Sequence, residues 1–196
     1  MCIRDRYIRT IMDELQRIDS HLLFFACLCM DMGALTAFFY GFRDREKVLD
    51  ILEQTTGGRL IQTYNTIGGV QADIHPDFVR KVKEFIAYMR PVLREYHEIF
   101  TGNVIAQERL KGTGVLTRED AISFGATGGT GRAAGWACDV RKRHPYAVYG
   151  KVDFEEVLFT EGDCLARYMV RMREIEQSMN LSLIHISEPT RLALIS

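Results

Sequence analysis

The sequence predicts a mainly α-helical fold. Three observations carry this. Apolar residues recur at three- and four-residue steps over most of the 196-residue chain. Stop and start residues fall between those runs, at Met32-Gly33-Ala34, Thr55-Thr56-Gly57-Gly58 and Thr101-Gly102-Asn103. Strand-like alternation is confined to one short stretch, residues 59–67.

The first helix is expected over residues 7–30. Ile11, Leu15, Ile18, Leu22, Phe25 and Cys29 form its apolar face, and Asp13, Glu14, Gln16, Arg17 and Asp19 its polar one. His21 sits where the polar face ends and reads as a boundary histidine rather than a ligand. A second helix over 34–54 directs Leu35, Phe38, Phe39, Phe42, Leu49 and Leu52 inward. The extended stretch 59–67 is closed by Gly68-Gly69, where the backbone needs freedom or close approach. Pro76 suits the first position of a third helix, with His75 near its N-cap. Phe78, Val82, Phe85, Ile86 and Met89 mark its buried face, and Pro91 should kink or restart it. A short helix spans 104–110, and Thr117 caps another whose first turn is acidic.

In the Gly-rich stretch 124–135, Gly129-x-Gly131-x-x-Ala134 imitates a dinucleotide fingerprint. No buried strand precedes it and no βαβ unit frames it, so a tight loop with close helix packing is the better reading. Residues 136–149 read as extended, and Arg141, Lys142 and Arg143 as a solvated or interface face in preference to a phosphate site. A last helix runs from Gly162-Asp163 to Asn180. It carries Leu165, Tyr168, Met169, Met172, Ile175 and Met179 inward, and Arg167, Arg171, Arg173, Glu174 and Glu176 outward.

The most apolar stretch is 22–42, with a single charge, Asp31, near its middle. It is about as long as the ~20 residues that cross a bilayer. As a transmembrane helix it would carry Asp31 at a cost of roughly 2.5–3.5 kcal/mol unless paired. Buried on all sides within a helical protein, it would instead break at Met32-Gly33-Ala34 into two helices. The second reading is preferred, because helical spacing continues beyond the charged run 43–47 into Val48, Leu49, Ile51 and Leu52. A carboxylate in such surroundings needs a partner or a proton. Cys27 precedes Asp31 by four residues and shares its helix face.

The length suffices for one domain with a sizeable core. With a net charge of −1, no large basic surface argues for nucleic acid. The five cysteines, at 2, 27, 29, 138 and 164, contain no C-x-x-C pair and fit reduced thiols. No secretory signal, nucleophile–base pair, P-loop, HExxH or metal-spaced cluster is present in the sequence. Both ends read as foreign. Residues 1–6 and 181–186 can be encoded by one DNA segment read on its two strands, and both resemble a translated sequencing adapter. Residues 1–6 and 181–196 are therefore expected to be scars, flanking an interior fragment at 7–180.

Several words in this chain together resemble the hydrogenase-like D subunit of NADH–quinone oxidoreductase, respiratory complex I. They are Asp31-Met32-Gly33-Ala34-Leu35-Thr36-Ala37-Phe38-Phe39, Arg45-Glu46-Lys47, Gly58-Arg59 with Tyr64 and Gly68-Gly69, Arg132-Ala133-Ala134-Gly135, Asp139-Val140-Arg141-Lys142, Pro145-Tyr146, and Gly162-Asp163-Cys164-x-x-Arg167-Tyr168. Their order and spacing match the family from about residue 12 to residue 181, roughly the middle half of the family's full-length chain.

The resemblance implies a partial nickel–iron hydrogenase large-subunit-like fold without the metal. It implies an oxidoreductase and translocase, an enzyme that binds NAD as a whole, in which this polypeptide and its B-type iron–sulfur partner enclose the quinone. Electrons would arrive from the terminal iron–sulfur cluster held by that partner. A C-type peripheral subunit and membrane-arm subunits would complete the assembly, on the cytoplasmic face of the bacterial plasma membrane. Asp31 is the catalytic candidate, matching a residue that hydrogen-bonds a quinone-contacting histidine upstream of this stretch. Cys27 would line the chamber beside it, and Arg59 would lie near the cluster. The chain departs from many members after Gly58-Arg59, where Leu60-Ile61-Gln62-Thr63 contains no histidine. That points to a low-potential quinone such as menaquinone. The corresponding subunit of a membrane-bound hydrogenase-type complex and a non-catalytic scaffold are the alternatives.

Overall fold

The computed structural model describes residues 2–192, with side chains described up to residue 183. Residues 184–196 of the expected C-terminal scar, and Met1, thus lie outside the described side chains. Eight α-helices are present among the described residues: α1 (Ile3–Asp31), α2 (Leu35–Thr56), α3 (Phe78–Tyr96), α4 (Val104–Leu110), α5 (Arg118–Ser123), α6 (Gly128–Ala133), α7 (Val140–Arg143) and α8 (Cys164–Leu192). One two-stranded antiparallel hairpin, β1 (Asn65–Thr66) and β2 (Gly69–Val70), pairs Asn65 with Val70 and Thr66 with Gly69. The mainly helical expectation holds. The chain divides into two compact units, Met1–Val92 with Gln177–Ser196, and Leu93–Glu176.

The first unit is built on α1 and α2. Ile8, Ile11, Leu15, Ile18, Leu22, Phe25 and Cys29 recur along α1 and are buried, as their spacing requires. On α2 the buried set is Ala37, Gly41, Asp44, Val48, Leu49, Ile51, Leu52 and Thr55. A Cβ placed on Gly41 would stand 2.8 Å from Ala26 Cβ and 3.1 Å from the Phe25 ring, so the backbones approach closely there. Two charged groups expected on the wet face of α1, Glu14 and Asp19, are buried instead. Asp19 receives Arg45 of α2 at 3.0 Å. Burial pushes the Asp19 carboxyl above its ordinary range, against the pull of Arg45. Asp44 is fully buried and accepts the Tyr88 hydroxyl of α3 at 2.6 Å.

Phe78, Val82, Phe85, Ile86 and Met89 line the buried face of α3 as expected. The helix neither stops nor restarts at Pro91. It runs on to Tyr96 and passes into a π-helical turn, His97–Thr101, because a lost N–H deprives only one carbonyl of its partner.

In the second unit, Asn103 and Thr117 cap α4 and α5 through their side chains, accepting from Ile105 and Ala106 N–H and from Asp120 N–H. The Gly-rich stretch forms the short helix α6. Gly131 lies so close to the Ala126 carbonyl and the Trp136 ring that a Cβ would strike both. Ala133, Ala166 and Val170 form a small core covered by Val157 and Phe159. Residues 136–149 are not wholly extended: Asp139 accepts Arg141 N–H at 2.9 Å and starts α7. The last helix begins at Cys164 with Asp163 as its cap, accepting Ala166 N–H at 2.7 Å.

Gly41→Ala is expected to lower stability by about 1–3 kcal/mol, since neither Ala26 nor Phe25 has room to withdraw. Chemical denaturation followed by circular dichroism measures this, and the loss should exceed that of Gly33→Ala only if crowding, rather than backbone strain, controls the helix pair.

Candidate functional site

The turn between α1 and α2 brings the Asp31 word together. Met32 N–H donates to Leu28 O at 3.0 Å, Gly33 N–H to Met30 O at 2.9 Å, and Ala34 N–H to Cys29 O at 2.8 Å. These bonds satisfy the carbonyls left over at the helix end. Gly33 adopts φ +81°, a conformation that side-chain-bearing residues avoid. Among the described residues no helix is long and apolar enough to cross a membrane. The 22–42 stretch is two helices, as the preferred reading holds.

It is not buried on all sides, and Asp31 is not enclosed. Asp31 is exposed at the C-terminal end of α1, and Cys27, one turn earlier, is half-buried. Around the turn Met30, Leu35 and Phe39 are 44%, 58% and 63% exposed. Leu35 and Phe39 therefore do not point inward: the buried stripe of α2 passes through the small residues Ala37 and Gly41, and the bulky ones flank it. Phe38 packs edge-on to Phe39 at 5.1 Å and against Phe42 at 4.9 Å, which stiffens the rim. Cys29, which faces the core, has its thiol pushed up to about 12 by burial and stays protonated. The result is an exposed apolar rim with one carboxylate set in it.

Arg59 lies elsewhere. Its guanidinium is held by three acids of α2, with Asp50 at 2.9 Å, Glu53 at 2.7 Å and Glu46 also in hydrogen-bond contact. Hydrogen bonds that it donates to Glu53 and Asp50 raise its already high pKa. Glu46 is eleven residues along α2 from Leu35, about 16 Å at 1.5 Å per residue, so Arg59 does not join the Asp31 rim. Among the described residues no group of three or more His, Cys, Asp or Glu could hold a metal ion.

The other matching words are structural. Arg132 of α6 and Glu174 of α8 pair at 2.6 Å, both nearly inaccessible. Arg141 donates to Asp139 at 2.6 Å and lies over the Phe154 ring at 4.7 Å. Burial opposes the Asp139 charge, but Arg141 overcomes it and holds the carboxyl below its usual range. Arg141 is thus committed to Asp139, and the basic cluster expected on a solvated or interface face keeps only Lys142 and Arg143 exposed. Arg167 donates to Gly162 O at 2.6 Å and Gly114 O at 2.9 Å, fastening the loop before α5 to α8. The Arg132–Glu174 pair has no signature in the sequence, because its members are 42 residues apart and Glu174 sits in a charged run. Only the excess of arginines around it hints at an interior partner.

Comparison with known proteins places this geometry. Residues 31–187 match the family model described as respiratory-chain NADH dehydrogenase, 49 Kd subunit. A protein of Phocaeicola vulgatus, named as the C/D subunit of NADH-quinone oxidoreductase, is 85% identical over 178 residues, covering 91% of this chain and 34% of its own length. One of Syntrophobacter fumaroxidans, named as the D subunit of NADH-quinone oxidoreductase, is 46% identical, covering 91% of this chain and 48% of its own. A solved structure of the membrane-bound sulfane sulfur reductase, an archaeal respiratory membrane complex, contains a chain that superposes with a TM-score of 0.90. It is 35% identical, over 95% of this chain and 50% of that one. The chain spans about a third to a half of the length of these relatives.

Glu174→Gln is expected to cost about 3–5 kcal/mol, because it strands the Arg132 charge in the interior. Arg132→Met combined with Glu174→Met should recover most of that loss in the same denaturation assay.

A hydrogenase-like helical fold, the Asp31 turn and a family match over most of its length establish that this chain belongs to the 49 kDa, or D, subunit family of respiratory-chain NADH–quinone oxidoreductases.

Proposed function

We propose that the Asp31 rim is part of the wall of a quinone-reduction chamber in a proton-translocating NADH–quinone oxidoreductase. The observation that carries this is a lone carboxylate in an exposed apolar surface formed by Met30, Leu35 and Phe39. Exposed apolar surface of this kind marks a binding site. A quinone is an apolar molecule with a polar, reducible head, and the names of the relatives supply the substrate class. Asp31 is a positioning residue in this reading. It orients an imidazole supplied from another part of the full-length polypeptide and stabilises its protonated form. Cys27 lines the same wall. Arg59, clamped by its three acids, fixes the chain near the terminal iron–sulfur cluster of a B-type partner. A C-type part, membrane-arm subunits and a position on the cytoplasmic face of the plasma membrane complete the assembly. Alone, the chain does no quinone chemistry, because the imidazole and the cluster come from elsewhere.

The same reading treats residues 1–6 and 181–196 as adapter-derived, because one DNA segment read on its two strands can encode both 1–6 and 181–186. A second reading, membership of a different respiratory membrane complex, is favoured by the fold shared with the sulfane sulfur reductase chain. The 85% identity to a protein named for NADH-quinone oxidoreductase weighs against it.

The test is quinone reduction by the intact parent complex carrying Asp31→Asn, measured across pH. A loss of turnover of at least tenfold, with an altered pH profile and the terminal cluster still reducible, is the expected result. Unchanged turnover would make Asp31 structural and leave the scaffold reading standing. In the unsubstituted complex, a redox titration should show a cluster potential that changes little with pH, since residues 60–63 supply no histidine. A strongly pH-dependent potential would remove the case for a low-potential quinone.

A further inference from the structure

Between α1 and the chain after Arg59 lies a cleft of about 250 Å³ that the Asp31 rim does not use. Met12, Asp13 and Gln16 form one side, and Leu60, Gln62, Tyr64 and Asn65 the other. The Asn65 amide donates to Asp13 at 3.2 Å, and the Gln62 amide donates to Gln16 at 3.2 Å. Tyr64 is buried and closes the back, its hydroxyl donated away to Ala72 O at 2.7 Å. Three cleft oxygens are then left without a donor among the described residues: the second oxygen of Asp13 and the carbonyl oxygens of Gln62 and Asn65.

We infer that this cleft is a socket for a guanidinium group, the head of an arginine on a neighbouring polypeptide of the assembled complex. Asp13 is its anchor. Asp19, Asp44, Asp139 and Glu174 each hold a guanidinium at 2.6–3.0 Å. Asp13 makes no ion pair among the described residues, and its one hydrogen bond comes from the neutral Asn65 amide. The arginines one turn to either side make contacts elsewhere. Arg9 donates to Thr66 O at 3.3 Å, and Arg17 lies 3.6 Å from Glu14. Burial, with Glu14 beside it, pushes the Asp13 carboxyl up to about 6, against Asn65, Arg9 and Arg17. A cation seated on it would bring that value down.

The walls choose among cations. A guanidinium spreads its N–H donors in one plane, enough for a carboxylate oxygen and two amide carbonyls together, whereas an ammonium is a compact point charge. Met12 and Leu60 offer apolar surface to the methylene stem behind the head. A metal ion fits less well, since among the described residues no group of three or more His, Cys, Asp or Glu could hold one. The surroundings point to a polypeptide as the source. Ile61, between two residues of the cleft wall, and Ile67 face solvent, Ile67 completely. An arginine anchor set among apolar contacts is how protein interfaces are commonly built. The socket rests on the quinone-oxidoreductase reading only for the existence of an assembled complex; its chemistry does not.

The first arm of the experiment follows the Asp13 carboxyl and the Gln62 and Asn65 side-chain amides of the full chain by NMR. Methylguanidinium should shift all three saturably and lower the midpoint of the Asp13 titration. Tetramethylammonium at equal concentration, which has no N–H to donate, should do neither. In Asp13→Asn the affinity for methylguanidinium should fall at least tenfold, with the circular dichroism of the helices unchanged. The second arm is carbodiimide labelling of carboxyl groups, read by mass spectrometry. Asp13 should label in the full chain, be protected at least tenfold in the intact parent complex, and label again when the complex is dissociated. No saturable binding, equal shifts with tetramethylammonium, or full affinity in Asp13→Asn would overturn the socket. Undiminished labelling of Asp13 in the complex would overturn the polypeptide as its source. Turnover of the Asp31→Asn complex, which tests the quinone chamber, bears on none of these readouts.

Discussion

The first unit depends on the close approach of α1 and α2 at Gly41 and Ala26. With no side chain at Gly41, the backbone of α2 lies against Ala26 and the Phe25 ring, and the two helices share one narrow stripe of small residues. In the first turns of α2 the bulky residues Leu35 and Phe39 then sit beside the stripe. That is why Leu35 and Phe39 are exposed, why Asp44 and Asp19 are drawn inside with Tyr88 and Arg45, and why the turn carrying Asp31 ends in an apolar rim. The site is a by-product of helix packing: the same contact that makes the pair compact pushes its aromatic residues outward at the tip.

The second unit follows another logic. Its helices α4 to α7 are short, from four to seven residues, and could not be stable by themselves. They are held by specific polar partners, with Arg132 on Glu174 and Arg141 on Asp139 in the interior and the partly exposed Arg167 on two backbone carbonyls. Such groups are expensive to bury and cheap only when geometrically complete, so they tolerate one arrangement and exclude near neighbours. The sequence words that mark the family in this unit are these pairs and their glycines. They define shape; ligand contact is not needed to explain them.

Much of this is legible from residue patterns. The four long helices, the cap at Thr117, and the break at Met32-Gly33-Ala34 follow from local chemistry and are present, although the last helix runs beyond the expected end at Asn180. What periodicity does not supply is depth. It treats Leu35 and Phe39 as core because they are large, whereas the deciding feature is the smallness of Gly41 beyond them. It treats Glu14, Asp19 and Glu174 as wet because they are charged, whereas partners distant in sequence take two of them inside. The helix at Val140–Arg143 escapes periodicity although Asp139 is a good cap, since a single turn leaves no periodic trace. For the site, the turn and its residues are readable, but the exposure of Asp31 is not, because it depends on how the whole hairpin tip is oriented.

Asp163 illustrates how narrow the chemical choice becomes at such a junction. One of its oxygens accepts Ala166 N–H at the start of α8, and the other accepts Gly112 N–H from the preceding loop. Asparagine has the same outline, yet it would present an NH₂ group to one of those two donors, and the carbonyl could serve only the other. Size, shape and capping propensity all permit the amide, and only the demand for two acceptors rejects it. At this position the isostere is the wrong molecule, and a substitution matrix that scores aspartate and asparagine as near equivalents would miss the distinction.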